Sequence, residues 1–200
     1  VFLATVVADL DSDGHPEVVT KGARAGEYTV FSDFADEPRA SVLTLPSGYE
    51  IGAVADMDGD GRTDLVTVTQ RWAWDEAPEA SEDLAILSLS DSSTGVATSI
   101  LEVVGGEIGL GRGALFSPNV HVGDVDGDDH PDLLVGAPGR AYVFRGGRTG
   151  QTTIDDADLA IITPSTLQAD AELADIDGDG RDDVLLWTMI DGEAQVLGWL

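Results

Sequence analysis

Asp124-Val125-Asp126-Gly127-Asp128-Asp129-His130-Pro131-Asp132 is the stretch from which the rest of this chain can be read. Carboxylates stand at its first, third, fifth and ninth positions, and the apolar triplet Leu133-Leu134-Val135 follows at once. The pattern occurs three more times, as Asp9-Leu10-Asp11-Ser12-Asp13-Gly14-His15-Pro16-Glu17, Asp56-Met57-Asp58-Gly59-Asp60-Gly61-Arg62-Thr63-Asp64 and Asp175-Ile176-Asp177-Gly178-Asp179-Gly180-Arg181-Asp182-Asp183. Carboxylates packed this closely repel one another unless a hard cation lies among them. Calcium takes six to eight oxygens at roughly 2.3–2.6 Å and tolerates irregular geometry, so it suits such a loop. Asp and Gly are also ordinary turn residues, but turn formation alone does not account for four copies with one spacing. The sequence predicts about four Ca2+ ions, one per loop.

The loops begin at residues 9, 56, 124 and 175, so their spacings are 47, 68 and 51 residues. Periods of this size belong to repeat architectures in which each repeat is one supersecondary unit. A short β-rich run precedes each loop: Phe2 to Ala8, Ile51 to Ala55, Val120 to Gly123 and Ala171 to Ala174. Another follows: Val18 to Thr20, Leu65 to Thr69, Leu133 to Val135 and Val184 to Trp187. The first three repeats add two more runs each: Tyr28 to Phe31 and Ser41 to Leu45, Leu84 to Leu89 and Thr98 to Val104, and Ala141 to Phe144 and Leu159 to Ile162. Short β-branched or aromatic runs punctuated by Gly, Pro and Asp read as strands, and four strands per repeat make a propeller blade. The expected fold is all-β, a single propeller region over 1–200 with blades at about 1–46, 47–112, 113–166 and 167–200. An EF-hand is excluded, because it needs a bidentate Glu at position 12 between two helices. Position 12 here is Thr20, Thr67, Val135 and Leu186, all in β-type runs.

Composition narrows the function classes. The chain carries 38 acidic and 10 basic residues, a net charge of −28, which four divalent ions would reduce to −20. Nucleic acid is excluded as a partner, since phosphate binding needs a basic patch. No run approaches the roughly 18 apolar residues of a membrane helix, so this segment is not expected to insert into a membrane. Cysteine is absent, which removes disulfides and thiolate metal sites. No Gly-x-Ser-x-Gly elbow, phosphate loop or zinc-type His motif occurs, so no enzymatic activity is expected.

The stretch from Val122 through Asp132, Gly136-Ala137-Pro138 and Tyr142 to Gly146 resembles the FG-GAP repeat of integrin α-subunit propellers, and the related VCBS-type repeats of surface proteins. The resemblance extends to all four loops, while Gly-Ala-Pro occurs once, and Phe116-Ser117 stands where that family has Phe-Gly. It implies that the calcium loop joins the first two strands of each blade. It also implies side-chain ligands at positions 1, 3, 5 and 9: Asp9, Asp11, Asp13 and Glu17; Asp56, Asp58, Asp60 and Asp64; Asp124, Asp126, Asp128 and Asp132; Asp175, Asp177, Asp179 and Asp183. Position 7 would add the carbonyls of His15, Arg62, His130 and Arg181, leaving the two imidazoles in solvent. Gly14, Gly61 and Gly180 fill position 6, where a sharp turn favours positive φ; Asp129 takes that place in the third loop. The implied role is a calcium-stabilised extracellular interaction or adhesion module of a surface or secreted protein, with a protein or glycan partner. The alternatives are a carbohydrate-binding, lectin-like propeller, or the non-catalytic propeller of a secreted hydrolase or lyase.

Two further expectations concern the rest of the chain. Residues 70–83 form an insertion whose Trp72 and Trp74 could stack on a sugar or anchor a protein, or could lie on one face of a longer strand; Trp187 and Trp199 fall in strand runs and are expected in the core. The fourth repeat has three strand-like runs, the last being Ala194 to Leu200. Because Phe2 to Ala8 already serve as an inner strand, an arc of a larger propeller of six to eight blades is expected, with a closed four-bladed ring as the alternative.

Overall fold

The computed structural model describes residues 5–22, 24, 26–34, 37–45, 49–69, 84–89, 97–104, 120–137, 140–162, 170–190 and 193–199. Sixteen strands and one short 3-10 turn make up the regular structure of these residues. The first blade comprises β1 (Thr5–Ala8), β2 (Glu17–Lys21), β3 (Glu27–Ser32) and β4 (Arg39–Thr44), hydrogen-bonded in that order. The second comprises β5 (Tyr49–Ala55), β6 (Asp64–Thr69), β7 (Leu84–Leu89) and β8 (Ala97–Val104). In the third, β9 (Val120–Gly123), β10 (Asp132–Ala137) and β11 (Arg140–Phe144) are followed by β12 (Gly150–Thr153) and β13 (Leu159–Ile162), and β11 pairs with β13. The fourth holds β14 (Asp170–Ala174), β15 (Asp183–Ile190) and β16 (Glu193–Trp199). Within every blade the pairing is antiparallel between neighbours, and each acidic loop joins the first strand to the second.

The core lies between blades, not within them, because a sheet buries its faces by stacking on other sheets. Leu10, Val19, Tyr28, Leu43 and Leu45 of the first blade pack on Ile51 and Leu65 of the second. Met57, Val66, Val68, Leu101 and Val103 of the second pack on Val120, Leu133, Val135, Tyr142 and Phe144 of the third. Leu134, Ala141, Val143 and Ile161 then meet Ala171, Val184 and Leu186 of the fourth. Side chains alternate across a strand, so in β10 Leu133 and Val135 face the second blade while Leu134 faces the fourth. All three are fully buried, which explains an unbroken apolar run in an antiparallel sheet.

The first strands of successive blades are also neighbours: β1 packs on β5, β5 on β9 and β9 on β14. Among the described residues β1 pairs only with β2, and β16 only with β15. Among the described residues the four sheets form an arc that does not close on itself.

Two features depart from the sequence expectation. β12 leaves its own blade and pairs in parallel with β8, from Gly150 opposite Leu101 to Thr153 opposite Val104, so the second sheet has five strands. The turn after it is held by Asp156, whose carboxylate accepts from the Thr153 N–H at 3.1 Å and hydroxyl at 2.8 Å, while Ile154 and Ala157 pack on the core between the second and third blades. The effect is to cover an edge strand that would otherwise present unpaired backbone groups. Trp187 is the second departure: expected in the core, it is 53% exposed. It lies on the face of β15 turned away from the third blade, where no described sheet covers it. The side chain of Trp199 lies outside the described residues, as do Trp72 and Trp74.

Leu134→Ala should remove packing between the third and fourth blades and cost about 2–5 kcal/mol, read as a lower denaturant midpoint. An unchanged midpoint would contradict the inter-blade core.

Candidate metal centre

Each loop is tied by the same backbone contacts. The carboxylate at position 1 accepts N–H groups from the far side of its own turn. Asp56 takes Gly59 at 2.9 Å, Asp60 at 3.0 Å and Gly61 at 2.8 Å. Asp124 takes Gly127 at 2.7 Å, Asp128 at 3.1 Å and Asp129 at 2.9 Å. Asp9 and Asp175 make the matching bonds to Gly14 and Gly180. The carboxylate at position 5 accepts the N–H at position 7: Asp13 from His15, Asp60 from Arg62, Asp128 from His130 and Asp179 from Arg181. The backbone reaches these contacts by turning left-handed at position 4 as well as position 6. Ser12, Gly59, Gly127 and Gly178 have φ of 60°, 76°, 77° and 80°. Position 6 repeats the turn at Gly14, Gly61, Asp129 and Gly180, with φ of 86°, 85°, 66° and 91°. Asp is one of the few side chains that visits this region readily, so the third loop keeps its shape without a glycine there.

Position 9 closes the loop. Its carboxylate accepts the N–H of position 2 in all four copies: Leu10 to Glu17 at 2.8 Å, Met57 to Asp64 at 2.9 Å, Val125 to Asp132 at 2.9 Å and Ile176 to Asp183 at 3.0 Å. Glu17, one methylene longer, makes the same contact as the three Asp residues. All four position-9 residues are buried, at 0–5% exposure.

These ties gather carboxylate oxygens. One oxygen from each of Asp56, Asp58 and Asp64 lies within 4.8 Å of the others, as in Asp124, Asp126 and Asp132, in Asp175, Asp177 and Asp183, and in Asp9, Asp11 and Asp13. Two oxygens on opposite sides of one calcium ion, each at roughly 2.3–2.6 Å, stand at most about 5 Å apart. Asp60, Asp128, Asp179 and Glu17 fall outside those groups. The position-7 side chains of His15, Arg62, His130 and Arg181 are exposed.

The electrostatics show the strain of this arrangement. Burial, with the added repulsion of Asp58, Asp60 and Asp56, raises the Asp64 carboxyl from its ordinary 3.8 to about 6, against the opposing Met57 N–H. Burial likewise raises Glu17, beside Asp11, Asp13 and Asp9, and Asp132, beside Asp126 and Asp128. Asp124 moves the other way: its desolvation is outweighed by the N–H groups of Asp129, Gly127 and Asp128 and by Arg181. Asp64 Oδ1 and Asp126 Oδ1 are buried and have no hydrogen-bond partner. An unpaired buried carboxylate oxygen is costly, and a cation among the three carboxylates would satisfy it. The donors in these groups are all oxygens, with no His or Cys, which is the chemistry of a hard divalent cation.

The third loop differs from its siblings. Arg145 Nη1 lies 3.1 Å from Asp126 Oδ2, and Gly146 donates its N–H to Asp132 Oδ1 at 2.8 Å. Neighbouring loops also touch. Thr63 donates its hydroxyl to the Asp9 carbonyl at 2.8 Å, and Ser12 donates to the Gly61 carbonyl at 3.3 Å. Asp182 accepts the Asp124 N–H at 2.9 Å and returns its own N–H to the Asp124 carbonyl at 2.7 Å. A Cβ placed on Gly59 would sit 3.4 Å from His130 Cε1, and one on Gly127 3.0 Å from Arg181 Nε. The glycine at position 4 therefore makes room for the position-7 side chain of the following loop. The recurring Gly at that position is legible in the sequence, but its partner lies one blade away.

Residues 107–186 match the family described as FG-GAP-like repeat. The match contains the third and fourth loops complete, and the first two repeat their hydrogen-bond pattern. The chain thus carries an FG-GAP-like repeat within an all-β, propeller-like arc. A comparison with curated proteins gave no match.

Asp64 gives a pH signature. Between about pH 4 and about pH 6 the folded chain holds a proton at Asp64 that the unfolded chain has released, so the stability of metal-free protein falls as pH rises through this window. Glu17 and Asp132 act in the same direction. In chelator the melting temperature should drop from pH 4 to pH 6, and Asp64→Asn should flatten that slope. A metal-free melting temperature that rises across this range would contradict the assignment.

Proposed function

We propose that this chain is a calcium-stabilised interaction module of a secreted or surface-exposed protein, in which calcium is structural and the partner is a protein or a glycan. The observation that carries the reading is the four-fold recurrence of one loop geometry. In three copies a buried position-9 carboxylate joins a cluster of acids at the start of a blade's second strand, in the first Asp13 completes the cluster instead, and in the second loop Asp64 Oδ1 is left without a partner. Calcium would be held by Asp9, Asp11, Asp13 and Glu17, by Asp56, Asp58, Asp60 and Asp64, by Asp124, Asp126, Asp128 and Asp132, and by Asp175, Asp177, Asp179 and Asp183. The bound ion would supply charge neutralisation and a cross-link between the first two strands of a blade.

Three arguments support the wider reading. Carboxylates fixed by backbone N–H donors and engaged by a cation serve neither as nucleophiles nor as general bases, so the module is read as non-catalytic. Loops of this kind in extracellular modules bind calcium at about 10⁻⁴–10⁻³ M, a range filled outside cells. A surface with net charge −28 repels nucleic acid. Among the described residues no helix is long and apolar enough to cross a membrane, which does not bear on β-barrels.

Chelation should lower the melting temperature, because an ion that binds only the folded state stabilises it by mass action. Calcium titration should count four ions for the parent protein and three for Asp58→Ala. A melting temperature indifferent to chelator would rule out structural calcium.

A further inference from the structure

Asp182 stands at position 8 of the fourth loop, directly before Asp183, yet it turns away from its own acid cluster, which is drawn from Asp175, Asp177 and Asp183. It spans the position-1 residue of the third loop instead. Its Oδ2 accepts the Asp124 N–H at 2.9 Å, and its own N–H donates to the Asp124 carbonyl at 2.7 Å. Asp124 is the residue on which the third loop is wound, since its carboxylate accepts the N–H groups of Gly127, Asp128 and Asp129. Both peptide groups that carry Asp124 are therefore held by one residue of the fourth loop.

The sequence is shaped around this contact. The residue just before the loop is Ala8, Ala55 and Ala174 in the first, second and fourth repeats, but Gly123 in the third. A Cβ on Gly123 would collide with Asp182 Oδ2, and would lie 3.1 Å from its Cγ and 3.2 Å from Leu173 Cδ1. Gly123 ends β9 and is not among the positive-φ residues, so backbone conformation does not demand glycine there. Space for the Asp182 carboxylate does. Position 8 is Thr63 in the second loop and Pro131 in the third; neither can send a carboxylate to the loop before it, and there the alanine stays.

We infer that Asp182 is a positioning residue through which cation binding at the fourth loop strengthens cation binding at the third, with Gly123 as the gap that admits its carboxylate. The inference rests on the calcium reading of both loops. Asp182 lies between Arg181, whose N–H is tied to Asp179 at 2.9 Å, and Asp183, which is buried and belongs to the fourth cluster. With Asp175, Asp177 and Asp183 drawn together on a cation, the chain is fixed on both sides of Asp182, and so are the peptide groups of Asp124. Coupling of this kind is reciprocal by linkage. The second and third loops lack the link, because Pro131 has no side-chain group to make it.

The test is a calcium titration of isotope-labelled chain, followed by NMR at the Gly127 amide for the third loop and the Gly178 amide for the fourth. Asp177→Ala, which removes an acid of the fourth cluster, should raise the Gly127 midpoint at least about fivefold, the low end of typical coupling between sites. Gly123→Ala keeps every acid of both loops and should raise the Gly127 midpoint by itself; adding Asp177→Ala should then raise it no further. Asp182→Ala should act as Gly123→Ala does, while Asp182→Asn, which retains an acceptor oxygen, should titrate as the parent. The comparison of Asp177→Ala with Asp58→Ala stands even if the other variants fail to fold. A Gly127 midpoint indifferent to Asp177→Ala overturns the inference and leaves the calcium reading intact. An equal rise in Asp58→Ala does the same, since the coupling then does not run through Asp182. A parent chain in which calcium moves neither amide overturns both.

Discussion

A buried carboxylate that accepts the N–H of a residue seven positions earlier is the contact on which this architecture turns. Position 9 is at once the end of the acidic loop and the first residue of a blade's second strand. Holding the N–H at position 2, it fixes the phase of the chain on both sides of the loop. Position 2 then points its apolar side chain toward the following blade, while positions 10 and 11 split between the two neighbours. A slip of one residue would turn every apolar side chain of the strand to the other face. One hydrogen bond per blade therefore sets both the shape of the acidic pocket and the register of the core.

The same contact makes charge and packing interdependent. Among the described residues the acids at position 9 are the most buried, and burial raises the Asp64, Glu17 and Asp132 carboxyls. Repulsion in one loop is thereby delivered to the interface beside it. The loops also lean on one another: Thr63 and Asp182, both at position 8, hold the position-1 residue of the loop before. Pro131 occupies position 8 of the third loop and has no side chain able to make that bond. There the second and third blades are joined instead by the Gly147 N–H on the Met57 carbonyl, at 3.1 Å.

What the sequence made legible is what depends on local spacing. The acids at positions 1, 3, 5 and 9 and the apolar runs around them place the strands of all four blades to within a few residues, since a strand needs only its alternation and its bounding turns. Less legible was anything settled by a neighbour far along the chain. Gly150-Gln151-Thr152-Thr153 is short and polar, and it becomes a strand only because β8 offers an open edge. Trp187 reads as core by composition, yet its exposure follows from which face of β15 has a partner. Position 4 carried a visible glycine in three loops, whose left-handed turn, and at Gly59 and Gly127 the clearance for the next loop, appear only in three dimensions.

The four loops share a backbone but not an electrostatic state. In the third, the Arg145 guanidinium sits against Asp126, the Gly146 N–H takes the second oxygen of Asp132, and Asp124 is held low by its N–H donors and Arg181. Much of that cluster's repulsion is offset by the protein itself. Among the described residues no cation contact offsets the second: Asp64 stands fully buried, with one oxygen unpartnered and its carboxyl raised by burial and three neighbouring acids. Since a group's demand for a counter-ion scales with what its surroundings leave unmet, the proposed dependence on a cation would fall most heavily on the second loop. That loop lies at the junction of the first and second blades, where Thr63 and Gly61 also touch the first loop. An ion bound there would brace two blades rather than one.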